Sequence, residues 1–223
     1  MEQTAVVLAS LFVDALQFIP DHAALLLQKA AETAELAFTA LGIAILIATP
    51  IGLWLGHRHR GLFVALGASS VGRALPSIAL IGIFIAWLGV GFWNNTVALV
   101  ILGMPPILTN AYFAVEGVDR DVVEAARGMG LSERQILTGV ELPLGLPLLL
   151  AGVRIAAVFV IATATIAGIA GGGGLGEIMS NLTVYNESGV LAAALCVAAM
   201  ALGTAFVLSL VQRAASRRMA PRA

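Results

Sequence analysis

Of the 223 residues, 60% are hydrophobic and only 11% charged, against about a quarter charged in an ordinary soluble domain, which excludes a typical soluble globule and points to a membrane protein. The net charge of -1 provides no basic footprint for a nucleic-acid partner. A single cysteine, Cys196, excludes an intrachain disulfide framework or cysteine-based zinc cluster and reads as a small packing residue.

In chain order, the apolar stretch 4–19 has no Lys or Arg ahead of it and is interrupted by Asp14, unlike a secretory signal. It is also short of the about 20 residues a span needs. The N-terminal segment 1–31 is therefore expected to hold an interfacial or partly inserted helix ended at Pro20-Asp21, with a sixth span as the alternative. A charge-free window at 36–56 predicts a first span over 32–56. The window 74–115 carries no charge and is about twice the length of one spanning helix. It breaks at Gly89-Val90-Gly91-Phe92-Trp93-Asn94-Asn95, where turn formers meet an interfacial aromatic, giving spans 74–90 and 94–115. Residues 142–176 are interrupted only by Arg154 and give a span over 142–170. The last span is 188–212, followed by a basic tail, 213–223. The fold class expected is all-α and polytopic, a single transmembrane domain with five core spans.

Orientation follows from the basic residues. Of the twelve Lys and Arg, Arg58, Arg60 and Arg73 lie between spans one and two, and Arg120, Arg127 and Arg134 between spans three and four. Arg213, Arg217, Arg218 and Arg222 follow span five. With alternating spans all of these share one side, which the positive-inside rule makes the cytoplasm. The N-terminus is then outside and the C-terminus cytoplasmic.

The polar connection 116–141 is long for a helix–helix loop. Asp121-Val122-Val123-Glu124 reads as an N-cap followed by an acid, and Ser132-Glu133-Arg134-Gln135 as a capping box. Gly128-Met129-Gly130 lies between them, where glycine permits a sharp turn. Leu142-Pro143 opens the next span, with proline tolerated in a first helical turn. Two short helices at an angle are expected beneath the membrane, with apolar surface from Val122, Val123, Ala125, Ala126, Ile136, Leu137 and Val140, suited to docking in another protein's groove.

Glu124-Ala125-Ala126, followed after three residues by Gly130 and after nine more by Val140-Glu141-Leu142-Pro143, resembles the EAA loop of ABC importer permeases. The family pattern has Ile where Val140 stands. Nearly the whole chain resembles the five-span core of type I importers, with an N-terminal interfacial helix and a cytoplasmic helix-turn-helix coupling loop. The resemblance implies a bacterial cytoplasmic (inner) membrane protein working with two copies of an ABC ATPase, a second permease subunit as homo- or heterodimer, and an extracytoplasmic substrate-binding protein. It implies that each loop inserts into a cleft on an ATPase, Glu124 pairing with a basic residue there, Gly130 permitting the turn, and Ala125, Ala126, Leu142 and Pro143 completing the motif. ATP and Mg would be bound by the partner ATPase, and no cofactor by this chain, which would not itself be an enzyme. ATP-driven closure would then rock the spans between inward-open and outward-open states.

Arg73-Ala74-Leu75-Pro76-Ser77, Val118-Asp119, Gly130-Leu131-Ser132, Ala151-Gly152-Val153-Arg154, Ala162-Thr163-Ala164-Thr165 and Gly171-Gly172-Gly173-Gly174-Leu175-Gly176 resemble the osmoprotectant branch: permeases for glycine betaine, carnitine and choline. Methionine permeases share the Gly-Gly-Leu-Gly feature, so methionine or another amino-acid-like solute is the alternative cargo. No aromatic cage for a quaternary amine stands out in a chain that is 6% aromatic; in the family that cage belongs to the binding protein.

Candidate translocation-path residues are Pro76, Ser77, Thr163 and Thr165, although a threonine inside a span more often bonds its own helix. Arg154 needs a partner or a snorkelling route, and Glu141 is a candidate partner. Glu177 and Glu187 read best as solvated carboxylates. The His57-Arg58-His59-Arg60 run reads as a membrane-flanking basic cluster rather than a metal site. A phosphate loop at 171–174 fails because no Gly-Lys-Ser/Thr follows. A membrane hydrolase lacks its motifs, and an ATP-independent channel would lack a charged ring or filter.

Overall fold

The computed structural model describes residues 2–59, 61–63, 65, 67, 70 and 76–219. Arg60, Arg73, Ala74, Leu75 and Arg222, invoked above, lie outside the described residues, as does the side chain of Arg218. The described residues form helices and turns without a strand. In order these are α1 (Glu2–Asp21), α2 (Ala23–His57), α3 (Ser77–Leu88) and α4 (Phe92–Glu116). There follow α5 (Arg120–Gly128), α6 (Glu133–Ile136), α7 (Leu142–Ala167), α8 (Leu175–Ser180) and α9 (Leu182–Met219). A π-helical turn precedes α7 (Leu137–Glu141) and another follows it (Gly168–Gly172).

Among the described residues, four helical stretches are long and apolar enough to cross a membrane: Ala23–His57, Phe92–Glu116, Glu133–Ala167 and Leu182–Arg217. Helix α3 is a shorter apolar helix of 12 residues. Its start is marked by Pro76 at the N-cap, extended at φ -68°, ψ 119°. Its end is marked by Gly89, whose φ of 75° suits a residue without Cβ.

By contact the chain divides into two compact units. The first comprises Met1–Ala40, Pro76–Leu99 and Phe159–Gly203, the second Leu41–Leu75, Val100–Val158 and Thr204–Ala223. In the second unit, small residues set the packing. A Cβ at Gly52 or Gly56 of α2 would strike the Leu108 or Tyr112 carbonyl of α4, and one at Gly145 or Gly152 of α7 would strike the Ala114 or Pro106 carbonyl. Helix α4 is thus approached closely on two faces, the way helices associate where lipid removes the hydrophobic drive. Large apolar side chains such as Leu46, Ile51 and Trp54 stay exposed, as a lipid-facing surface requires.

Two features differ from expectation. The helix after the loop does not open at Leu142-Pro143: it is continuous from Glu133 to Ala167. Pro143 lacks an N–H and its ring crowds the carbonyl four residues back. The ladder accommodates this by widening to a π turn just ahead of it, where Leu142 N–H bonds the Leu137 carbonyl. Helix α9 also continues past residue 212 to Met219, bent at Asn186 with φ 54°.

Candidate functional site: the loop at 116–141

Helix α5 begins at Arg120 because the Asp119 side chain accepts from the Asp121 N–H at 2.9 Å. The N-cap is therefore Asp119, not Asp121; both are acidic, and the residue whose backbone lies outside the helix, at φ -54° and ψ 125°, makes the cap. Ser132 makes a reciprocal capping box with Gln135 that starts α6. Between the two helices Gly130 takes φ 84°. Val123, Ala126 and Ile136 form a buried cluster flanked by Val118, Leu131 and Val140. Ala126 thus serves the inside of the helix pair, whereas Glu124 and Ala125 are exposed. Exposed Val122 and Ala125 on α5 and Met129 at its C-cap follow helical i, i+3, i+7 spacing and share one stripe. Glu124 lies on the wall of a cavity of about 190 Å³ with His59, Arg120, Arg127 and Glu141.

Arg127 crosses from α5 to Glu133 of α6 with a two-pronged contact, Nε to Oε1 at 2.9 Å and a terminal nitrogen to Oε2 at 3.1 Å. The carboxylate pushes the Arg127 guanidinium further above its ordinary value. Glu133 also lies 3.3 Å from Nε2 of His57, whose Nδ1 is 2.6 Å from Glu141. A doubly protonated ring donates to both carboxylates; a neutral ring donates to one. The Glu141 side chain is only 2% exposed, so His57 gives a buried carboxylate its required partner. The sequence placed His57 in a basic flank and missed this role. The only local hint was a titratable residue at the last turn of a spanning helix.

Other expected residues fall differently. Arg154 does not meet Glu141, whose carboxylate is engaged by His57. Thr163 donates to the Phe159 carbonyl and Thr165 to the Ala162 carbonyl, both within α7 and both buried. Pro76 is exposed and Ser77 half-buried at the start of α3. Leu142 and Pro143 are half-buried at the start of α7. Glu177 is not merely solvated: it pairs with Lys29 at 2.6 Å. Glu187 is exposed.

That ion pair belongs to a second cluster, in the first unit. Glu32 accepts from the Gly174 N–H at 2.8 Å and from Lys29 at 3.0 Å. Thr33 donates to the Lys29 carbonyl and accepts from the Leu175 N–H, each at 2.9 Å. Gly171, Gly173 and Gly174 all have positive φ, and a Cβ on Gly174 would strike the Thr33 hydroxyl. The glycine run bends the chain and lets α2 approach its backbone.

Residues 45–221 match the model of the family described as "Binding-protein-dependent transport system inner membrane component". The chain belongs to that family. It is the permease subunit of an ABC importer. Among relatives, it is 33% identical to the choline transport system permease protein OpuBB of Bacillus subtilis, over 88% of this chain and 91% of that one. It is 36% identical to the carnitine transport permease protein OpuCB of Listeria monocytogenes, over 78% and 80% respectively. In fold it is similar to the inward-facing MetNI methionine ABC transporter, with TM-score 0.74 and 23% identity over 85% of this chain and 95% of that one. It is also similar to an amino acid ABC transporter crystallised with histidines, with TM-score 0.64 and 20% identity over 91% and 97%.

Proposed function

We propose that this permease lines the path of an osmoprotectant importer for a quaternary amine such as choline, glycine betaine or carnitine. In this reading the loop 116–141 is where a separate ATPase drives it. The relatives named for choline and carnitine transport support the cargo; the methionine transporter shares the fold at lower identity. Two permease subunits, alike or different, pair; two ATPase subunits bind ATP and Mg; and a binding protein delivers the solute from outside. Five spans cross the inner membrane, the second at 74–90, with the N-terminus outside and the C-terminus cytoplasmic. Pro76, Ser77, Thr163 and Thr165 remain path candidates, Thr163 and Thr165 through their positions on α7 rather than free hydroxyls.

The observation that carries the coupling role is the outer surface of α5. It turns Val122, Ala125 and Met129 outward while Val123 and Ala126 hold the helix pair together from within. Exposed apolar surface beside the exposed carboxylate of Glu124 suits a groove with a basic residue, and the Gly130 turn sets the angle of the pair. Glu124→Lys is the test. The variant is expected to lose its partner ATPase during co-purification in detergent, and to lose ATP-driven uptake of labelled choline or glycine betaine in proteoliposomes. Intact co-purification would remove the docking role. Intact docking with uptake of methionine but not quaternary amines would remove the cargo.

A further inference from the structure

We propose that an open cleft between α7 and α9 is a binding site for the phosphate headgroup of an anionic phospholipid. The cleft has a volume of about 390 Å³ and is lined by Arg154, Ser209, Gln212, Arg213, Ser216 and Arg217, within the about 300–1,000 Å³ of small-molecule sites. It lies within the second unit. Three guanidinium groups converge there. Among the described residues none of the three has an ion-pair partner, and neither α7 nor α9 beyond residue 187 carries an acidic residue.

An arginine within a spanning helix is costly without an anion or a route to the headgroup layer. Side chains on an α-helix lean toward its N-terminus. Arg154 therefore leans toward the start of α7, where Gln212 of α9 donates to the Pro147 carbonyl at 3.0 Å and where Arg213 and Arg217 lie. Planar guanidinium forks match phosphate oxygens; the Ser209 and Ser216 hydroxyls already donate to the Phe206 and Gln212 carbonyls of α9 at 2.7 and 3.0 Å, so the arginines are the donors the cleft offers an anion. The cleft continues into apolar surface. One helical turn away from the polar end, Val158 follows Arg154 on α7 and Phe206 precedes Ser209 on α9, 37% and 64% exposed. A headgroup in the arginine cleft with an acyl chain along Val158 and Phe206 uses both surfaces, which a soluble phosphate does not. That the lipid belongs to the inner leaflet rests on the orientation proposed above; the site itself does not.

The test uses the full importer in nanodiscs of phosphatidylcholine with a minor fraction of phosphatidylglycerol in both leaflets, so that orientation does not enter. Retained phosphatidylglycerol is counted by native mass spectrometry. Arg213 and Arg217 are exposed, so Arg213→Gln and Arg217→Gln leave packing intact. Each is expected to weaken lipid retention about fivefold, and Arg213→Lys to retain most of it. Unchanged retention in the double variant would overturn the proposal. So would displacement of the lipid by millimolar inorganic phosphate, which would assign the cleft to a soluble anion. Loss of subunit association with lipid retention unchanged would give the cleft to a carboxylate of another subunit and equally overturn it. Labelling of Arg217→Cys from each side of sealed vesicles separately reports the orientation.

Discussion

The loop at 116–141 and the glycine-rich junction at 168–176 each gather carboxylates around a cation, but they hold different things. In the junction, Glu32 and Thr33 of α2 grip backbone N–H groups of Gly174 and Leu175. Side chain holds main chain, and the glycines leave no slack because a Cβ would collide. In the loop, apart from the local helix caps, the ion pairs run side chain to side chain: Arg127 to Glu133, His57 to Glu133 and to Glu141. These contacts grade from buried at Glu141, beside α7, to exposed at Arg127. The junction is built as a fixed bend. The loop is anchored at its root and free at its tip, which suits a segment that must transmit a push while meeting a partner.

The largest expected loss comes from removing the anchor. His57→Leu leaves the Glu141 carboxylate buried without its partner, which costs about 3–5 kcal/mol when a buried pair is broken from one side. The unfolding midpoint of the purified permease in detergent should fall sharply, and the double variant His57→Leu/Glu141→Leu should recover most of the loss. A single variant as stable as the parent would mean that the root is no firmer than the tip.

Much of the loop was legible because its signals are local. Ser132 and Gln135 are three residues apart, and Gly130 supplies the positive φ a sharp turn needs. The Gly89 and Gly91 break could be read for the same reason. The cap was misplaced by two residues because Asp119 and Asp121 are equally able, and only backbone geometry chooses between them. The long-range ion pairs could not be read at all. His57 and Glu141 are 84 positions apart and Lys29 and Glu177 are 148 apart, so nothing short of the fold brings them together. The π turn before α7 was hidden for another reason: Pro143 at the head of a span looks like an ordinary helix start. Here helix already precedes it, and the ladder shifts register instead of ending.

The junction should come next in size. Thr33→Val keeps the shape of the side chain but removes the acceptor for the buried Leu175 N–H, an unsatisfied donor costing about 1–3 kcal/mol. Amide exchange at Leu175 and Gly174 should quicken while exchange in α5 and α6 stays unchanged. Equal acceleration in both regions would mean that the bend and the loop open together, and the contrast between them would fail.

The smallest effect is expected at the tip. Arg127 and Glu133 have side chains 53% and 57% exposed, so solvent and salt screen their attraction and water replaces the contact when it is lost. Arg127→Gln should therefore leave the unfolding midpoint at the parent's value in moderate salt, with any loss confined to low ionic strength. Its consequence should appear instead in the angle between α5 and α6, since the two-pronged contact is a side-chain bridge across the Gly130 turn that the apolar cluster of Val123, Ala126 and Ile136 does not replace. A distance distribution between spin labels at Val122 and Thr138 should broaden in the variant without the protein becoming less stable. If the midpoint instead falls as far as it does for Thr33→Val, the tip is as tightly held as the junction. The loop would then be a rigid post rather than an anchored arm with a compliant end.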